Sequence, residues 1–259
     1  MSEALYMNKK QLSMAEQTTT RAFDVVDEQF SDGKQRHGRN HLRFHNGLHA
    51  RMVSMGAVAL GQKLGLSPAE QVVARVAGAA HDIVQLRGPG VNEDESAEWL
   101  DNALAEHLPP EAITMGRLAI LGTEPIFKDG IIVSQKANTQ KYPSKQAELL
   151  AKAVACADLG ALYKPEGPLL GHELYREISG HNQRNLPPID EDIVAFQKKQ
   201  TALIMSYVYP LKKANTLLAT HRSKVEKHTS KHLSQLEAGE IHSWKQLIEQ
   251  DRAFQIANS

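Results

Sequence analysis

The chain has 259 residues, 30 basic and 30 acidic side chains and no net formal charge, so it can bury a sizeable core and has no overall field to draw it to nucleic acid or an anionic membrane. Its single cysteine, Cys156, excludes an internal disulfide framework and a cysteine-based zinc site. No uncharged apolar stretch is long enough to span a bilayer, and MSEALYMNKKQL lacks the apolar core of a secretory signal; a soluble cytoplasmic protein is expected.

Residues 1–12 read as a loose lead-in. Ser13 and Glu16 have capping-box spacing, and Ala22, Phe23, Val25, Val26 and Phe30 give the following helix an apolar face that ends at Asp32-Gly33. From Gly33 to Ala69 there is no acidic residue, while Lys34, Arg36, Arg39, Arg43, Arg51 and Lys63 are basic; the run is either a solvated surface or a lure for an anionic substrate. Leu48, Met52, Met55, Ala59 and Leu60 recur at helical spacing up to Gly65. Ser67-Pro68-Ala69-Glu70 combines a cap, a proline at the first helical position and a glutamate at the third. The helix it opens is almost wholly small and apolar through Ala80, as expected of the buried centre of a bundle, and it delivers His81 and Asp82 at its end.

Asn92 is expected to cap a helix carrying Glu93, Asp94 and Glu95 in its first turn. Another helix starts at Pro109-Pro110 and runs to about Leu121, and residues 126–133 suggest a hairpin around Asp129-Gly130. Gln135 to Pro143 reads as exposed loop, Ser144 to about Leu162 as a helix bearing Asp158, and Glu173 to Ile178 as a short helix. After the irregular stretch 181–189, helix is expected from Asp190 to Gly239 with a break near Pro210. On its second half His221, Lys224, His228 and Lys231 share one face, read as solvated or as a contact for an anionic partner or another subunit. Ser243 caps a last helix with Trp244, Leu247 and Ile248. The fold is therefore expected to be all-α, with one helical domain over 13–180 and a helical extension over 190–259.

Four of the twelve histidines fall between His37 and His49. His45 and His49 are four apart, His81 and Asp82 are neighbours, and Asp158 comes from a third helix. Imidazoles and carboxylates together suit a divalent ion, with Zn, Mn, Fe and Mg as the candidates.

Phe44-His45-Asn46-x-x-His49, then His81-Asp82 after an apolar helix, then Asn92-Glu93-Asp94-Glu95-Ser96-Ala97 and Asp158-Leu159 resemble the HD superfamily of metal-dependent phosphohydrolases over about half the chain. Phe44 stands where these relatives carry Tyr, and Leu121-Gly122-Thr123-Glu124-Pro125 where many show Thr-Lys-His-His. The resemblance implies an HD-type helical bundle in which His49, His81, Asp82 and Asp158 hold the metal and His45 protonates the leaving oxygen. Glu93 or Glu95, in the first turn of the next helix, is the candidate for orienting the water, the alternative being a simple helix-dipole partner. Arg43 and Asn46, beside His45, are candidates for substrate contact. The implied activity is hydrolysis of a phosphate ester or phosphoanhydride in a nucleotide or other small phosphorylated metabolite; the alternative is a non-catalytic module that binds a nucleotide or a protein. Only His107 lies between Asp82 and Asp158, which argues against the superfamily's histidine-richer di-iron branches. Substrate identity, one ion or two, and a homo-oligomer are left open.

Overall fold

The computed structural model describes residues 5–30, 42–179, 189 and 191–259. Among them it is an all-α protein of ten α-helices with one two-stranded sheet. The expected helix end at Asp32-Gly33, most of the irregular stretch 181–189 and the expected helix start at Asp190 lie outside the described residues. Contacts divide the chain into two units.

The first unit holds α1 (Lys9–Gln29), α2 (Gly47–Leu64), α3 (Pro68–Ala80), α4 (Val91–Leu104), α5 (Pro110–Leu121) and α6 (Lys145–Asp158). α3 is its centre and packs on α1, α2, α4, α5 and α6. Its start is the expected one: Ser67 Oγ accepts the Glu70 N–H at 3.3 Å while the Glu70 carboxylate accepts the Ser67 N–H at 2.6 Å. α2 and α3 form an antiparallel pair turned at Gly65, which takes the left-handed conformation (φ +79°) that glycine adopts without strain.

Several boundaries differ from the expected ones. α1 begins at Lys9, because Asn8 and Gln11 make the capping box that the sequence reading gave to Ser13 and Glu16. Leu5 and Met7 are buried, so the segment ahead of the helix is packed rather than loose. α4 begins at Val91: Gly90 takes φ +85° and its N–H is held at 2.6 Å by the Glu93 carboxylate, while Asn92 Oδ1 turns back to the Arg87 N–H. β1 (Pro125–Lys128) and β2 (Ile131–Gln135) form the hairpin, with Asp129 and Gly130 both at positive φ as a type I′ turn requires. The stretch after it is exposed loop only in part: Asn138, Thr139, Lys141 and Pro143 are exposed, but Gln135 and Ala137 are buried and residues 136–138 form a 3-10 turn.

The second unit contains residues 42–44 and four helices, α7 (Gly167–Ile178), α8 (Glu191–Ser206), α9 (Lys212–Glu237) and α10 (Trp244–Asn258). α7 starts six residues before the expected Glu173, with Pro168 in its first turn. Its core joins Tyr175, Ile193, Leu236, Ile241, Trp244 and Leu247. The break near Pro210 is real, and the freed carbonyls are satisfied: Arg222 donates to Met205 O and Tyr207 O, and the Tyr163 hydroxyl, which lies 2.9 Å from Ile204 O and 2.7 Å from Tyr207 O, serves the same region.

Candidate metal centre

Asn46 caps α2, its side-chain oxygen accepting the Leu48 and His49 N–H groups at 2.9 and 3.3 Å. His49 thus sits in the first turn of α2, fully buried. His81 is the C-cap of α3, and its Nδ1–H donates to Gly78 O at 2.9 Å. Because a carbonyl can only accept, that bond places a proton on Nδ1 and turns Nε2 toward the cluster.

The His49 and His81 Nε2 atoms lie 3.3 Å apart. Asp82 Oδ2 is 3.3 Å from the first and 3.0 Å from the second; Asp158 Oδ1, at the end of α6, is 3.2 and 3.5 Å away. An ion with bonds of about 2.0–2.1 Å separates neighbouring ligand atoms by roughly 3.0 Å when octahedral and 3.3 Å when tetrahedral. Among the described residues, His49, His81 and Asp158 each offer a donor atom within 4.8 Å of the other two, a spacing one cation can bridge, and Asp82 Oδ2 lies beside both imidazoles. A second observation agrees: Asp82 Oδ2 is buried and has no hydrogen-bond donor among the described residues, an arrangement that is costly unless a cation meets it.

The free oxygens of both carboxylates are held from outside. Gln85 Nε2 donates to Asp82 Oδ1 at 2.6 Å, and Gln135 Nε2 donates to Asp158 Oδ2 at 3.1 Å. These two amides orient the inward oxygens. The turn that carries Asp82 and Gln85 is tied to α4 through Ser96, whose buried hydroxyl accepts the Val84 N–H at 3.1 Å. Gln85 and Gln135 were not singled out from the sequence; a glutamine three residues past Asp82 is a weak signal, and the one at Gln135 becomes visible only when the hairpin returns the chain.

The electrostatics follow from packing four such groups out of water. Burial works to lower the His81 pKa, but the charges of Asp82 and Asp158 override it and hold it well above the ordinary value. Burial works to raise Asp82 and Asp158, and the two imidazoles override that, keeping both carboxyls ionised below the usual range. Both carboxylates are thus in the form that binds a cation.

His45 stands at the rim, half-buried, with its ring 5.8 Å from that of His49 and edge-on to it. Glu93, in the first turn of α4, has its pKa raised, by burial first and then by the Asp82 and Glu124 charges, against the stabilising Glu93 and Gly90 N–H groups. Arg43 pairs with Glu173 at 3.0 Å, and the Phe44 N–H donates to Glu177 at 2.7 Å. The side-chain oxygen of Asn46 is taken by the helix cap.

No protein family matches the chain, and no curated protein does. Among solved structures it resembles Bacillus subtilis YpgQ in complex with ADP, with TM-score 0.51 and 18% identity over 89% of this chain and 96% of that one. A second crystal structure of Bacillus subtilis YpgQ gives TM-score 0.51 and 19% identity over 89% and 97%. At this identity the likeness establishes a shared helical fold.

Proposed function

We propose that the chain is a metal-dependent phosphohydrolase acting on a nucleotide or another small phosphorylated metabolite, with His49, His81, Asp82 and Asp158 as the ligands of one divalent ion. The observation that carries this reading is the pair of Nε2 atoms 3.3 Å apart, each 3.0–3.5 Å from one oxygen of Asp82 and one of Asp158, with Asp82 Oδ2 buried and undonated. The HD-like order of these residues and the ADP complex of the YpgQ structure support a phosphorylated substrate. A divalent ion held there supplies Lewis acidity to a phosphoryl oxygen and acidifies a water. Zn, Mn, Fe and Mg all accept such a mixed imidazole–carboxylate set to some degree.

The chain's own residues would do the rest. His45, at the rim and outside the ligand set, holds a proton for the leaving oxygen, since an imidazole titrates near neutrality. Glu93 orients the attacking water from the first turn of α4. Gln85 and Gln135 hold the two ligand carboxylates in register, and burial of His49 and His81 keeps bulk water from competing for their lone pairs.

The deciding experiment offers nucleoside mono-, di- and triphosphates and simple phosphodiesters to the full chain with Mn, Mg, Zn or Fe, and measures phosphate or nucleoside release. Turnover that requires an added ion supports the enzyme. Tight nucleotide binding without turnover under any metal would assign the chain to the non-catalytic alternative.

A further inference from the structure

Asp251 on α10 is completely buried, and three imidazoles converge on it. His228 Nε2 lies 2.6 Å from Oδ1, His232 Nδ1 lies 3.1 Å from the same oxygen, and His172 Nε2 of α7 meets Oδ2. All four residues belong to the second unit, and none belongs to the centre described above. The face of α9 read from sequence as solvated is therefore partly turned inward: His228 faces α10 and stacks on Phe254 at 4.0 Å between ring centroids.

We propose that His228, His232 and Asp251 form a second metal site, for a zinc-class divalent ion, with His172 holding the outer oxygen of the ligand carboxylate. The two histidines are four apart on one helix, which places both on a single face. One donor atom from each of the three residues can be chosen so that all lie within 4.8 Å of one another. Two imidazoles and one carboxylate are the borderline donors that zinc, cobalt and nickel prefer over magnesium or calcium. The rings are already oriented, His228 by its stack on Phe254 and His172 by an edge contact with Trp244 at 5.3 Å. His172 stands where a ligand carboxylate's outside partner stands.

If hydrogen bonds alone held the cluster, both α9 rings would have to present a proton to one oxygen with their centroids 4.0 Å apart. An ion replaces those protons with a single charge shared by three donors. A tetrahedral ion needs neighbouring donors about 3.3 Å apart, so the 2.6 Å His228–Asp251 separation opens by under an ångström when the ion enters. The three ligands come from α9 and α10 and are almost buried, so an ion held there would staple the two helices together.

The test uses the full chain carrying Asp82→Ala, stripped with a chelator and titrated with zinc. The expected result is one tight equivalent per chain, with the thermal midpoint raised by roughly 5–10 °C at zinc a hundredfold above Kd. Adding His228→Gln should remove both effects, and His172→Gln should weaken zinc by about 10–100-fold, the usual cost of losing a ligand's outside partner. In the Asp82→Ala chain itself, zinc should shift the imidazole nitrogen resonances of His228 and His232. Unmoved resonances, no tight equivalent, or zinc retained in full by the His228→Gln chain overturn the site and leave a hydrogen-bonded cluster only.

Discussion

Gly78 of α3 and Ser54 of α2 meet backbone to backbone: a β-carbon on Gly78 would stand 2.9 Å from Ser54 Cα and 3.0 Å from its nitrogen. Ser54 Oγ fastens the same crossing by donating to Arg75 O at 2.9 Å. His49 lies just over one turn before Ser54, and His81 lies three residues after Gly78, so this close approach sets the spacing between the two imidazoles. Gly78→Ala has only backbone to push against. It should destabilise the first unit by about 1–3 kcal/mol, as overpacking does, and weaken metal binding at His49 and His81 as well. Denaturant melts with metal titration check both; an unchanged metal affinity would mean that the crossing does not set the site.

His45→Ala should leave bound metal nearly unchanged, because its ring lies outside the ligand set. The rate on substrates with a poor leaving group should fall by about 10²–10⁴, the range of general acid catalysis. On a nitrophenyl ester, whose leaving group needs little protonation, the loss should be much smaller. If His45→Ala empties the centre, His45 is a ligand and not the acid.

The cluster of His49, His81, Asp82 and Asp158 was legible because chemistry restricts it: imidazole and carboxylate at the ends of helices with clear caps leave few bland explanations. α3 was equally legible, since Ser67-Pro68-x-Glu70 and an alanine-rich run specify a start and a buried course. What the sequence hid was action at a distance. Gln135 looked like loop, yet it is buried because the hairpin returns it beside Asp158. His228 looked solvated by spacing, since nothing local shows that α10 brings Asp251 and Phe254 onto it. The start of α1 was missed for a simpler reason: Asn8 and Gln11 use the same reciprocal bonds as Ser and Glu.

Glu93 both closes the start of α4 and faces the charges of Asp82 and Glu124. Glu93→Gln keeps an oxygen to accept the Gly90 N–H, so the melting temperature should hold. The charge is lost, and the rate should fall by about 10²-fold, the lower end for a residue that manages a proton or water. A rate equal to that of the unaltered chain would reduce Glu93 to a helix cap.

Tyr163 is fully buried, with its hydroxyl on Ile204 O and Tyr207 O. Burial pushes the phenol up to about 12, with Arg222 opposing and Glu226 adding to the shift. A raised folded value means that this contribution is fully present below the unfolded tyrosine value of about 10 and is lost as pH rises toward 12. Tyr163→Phe should cost about 1–3 kcal/mol, because the buried hydroxyl beside Ile204 O and Tyr207 O is lost while Tyr207 O keeps Arg222 as a donor. It should also flatten the alkaline limb of the stability profile, measured by denaturant melts between pH 8 and 12.

Bound metal and substrate turnover measured on one preparation of the Asp82→Ala chain test the central claim most directly. In the proposed centre Asp82 offers a buried, undonated oxygen, so its removal should lower bound metal by one equivalent per chain and abolish phosphate release together with it. A chain that keeps its full metal complement, or hydrolyses its substrate at the unaltered rate, would contradict the assignment.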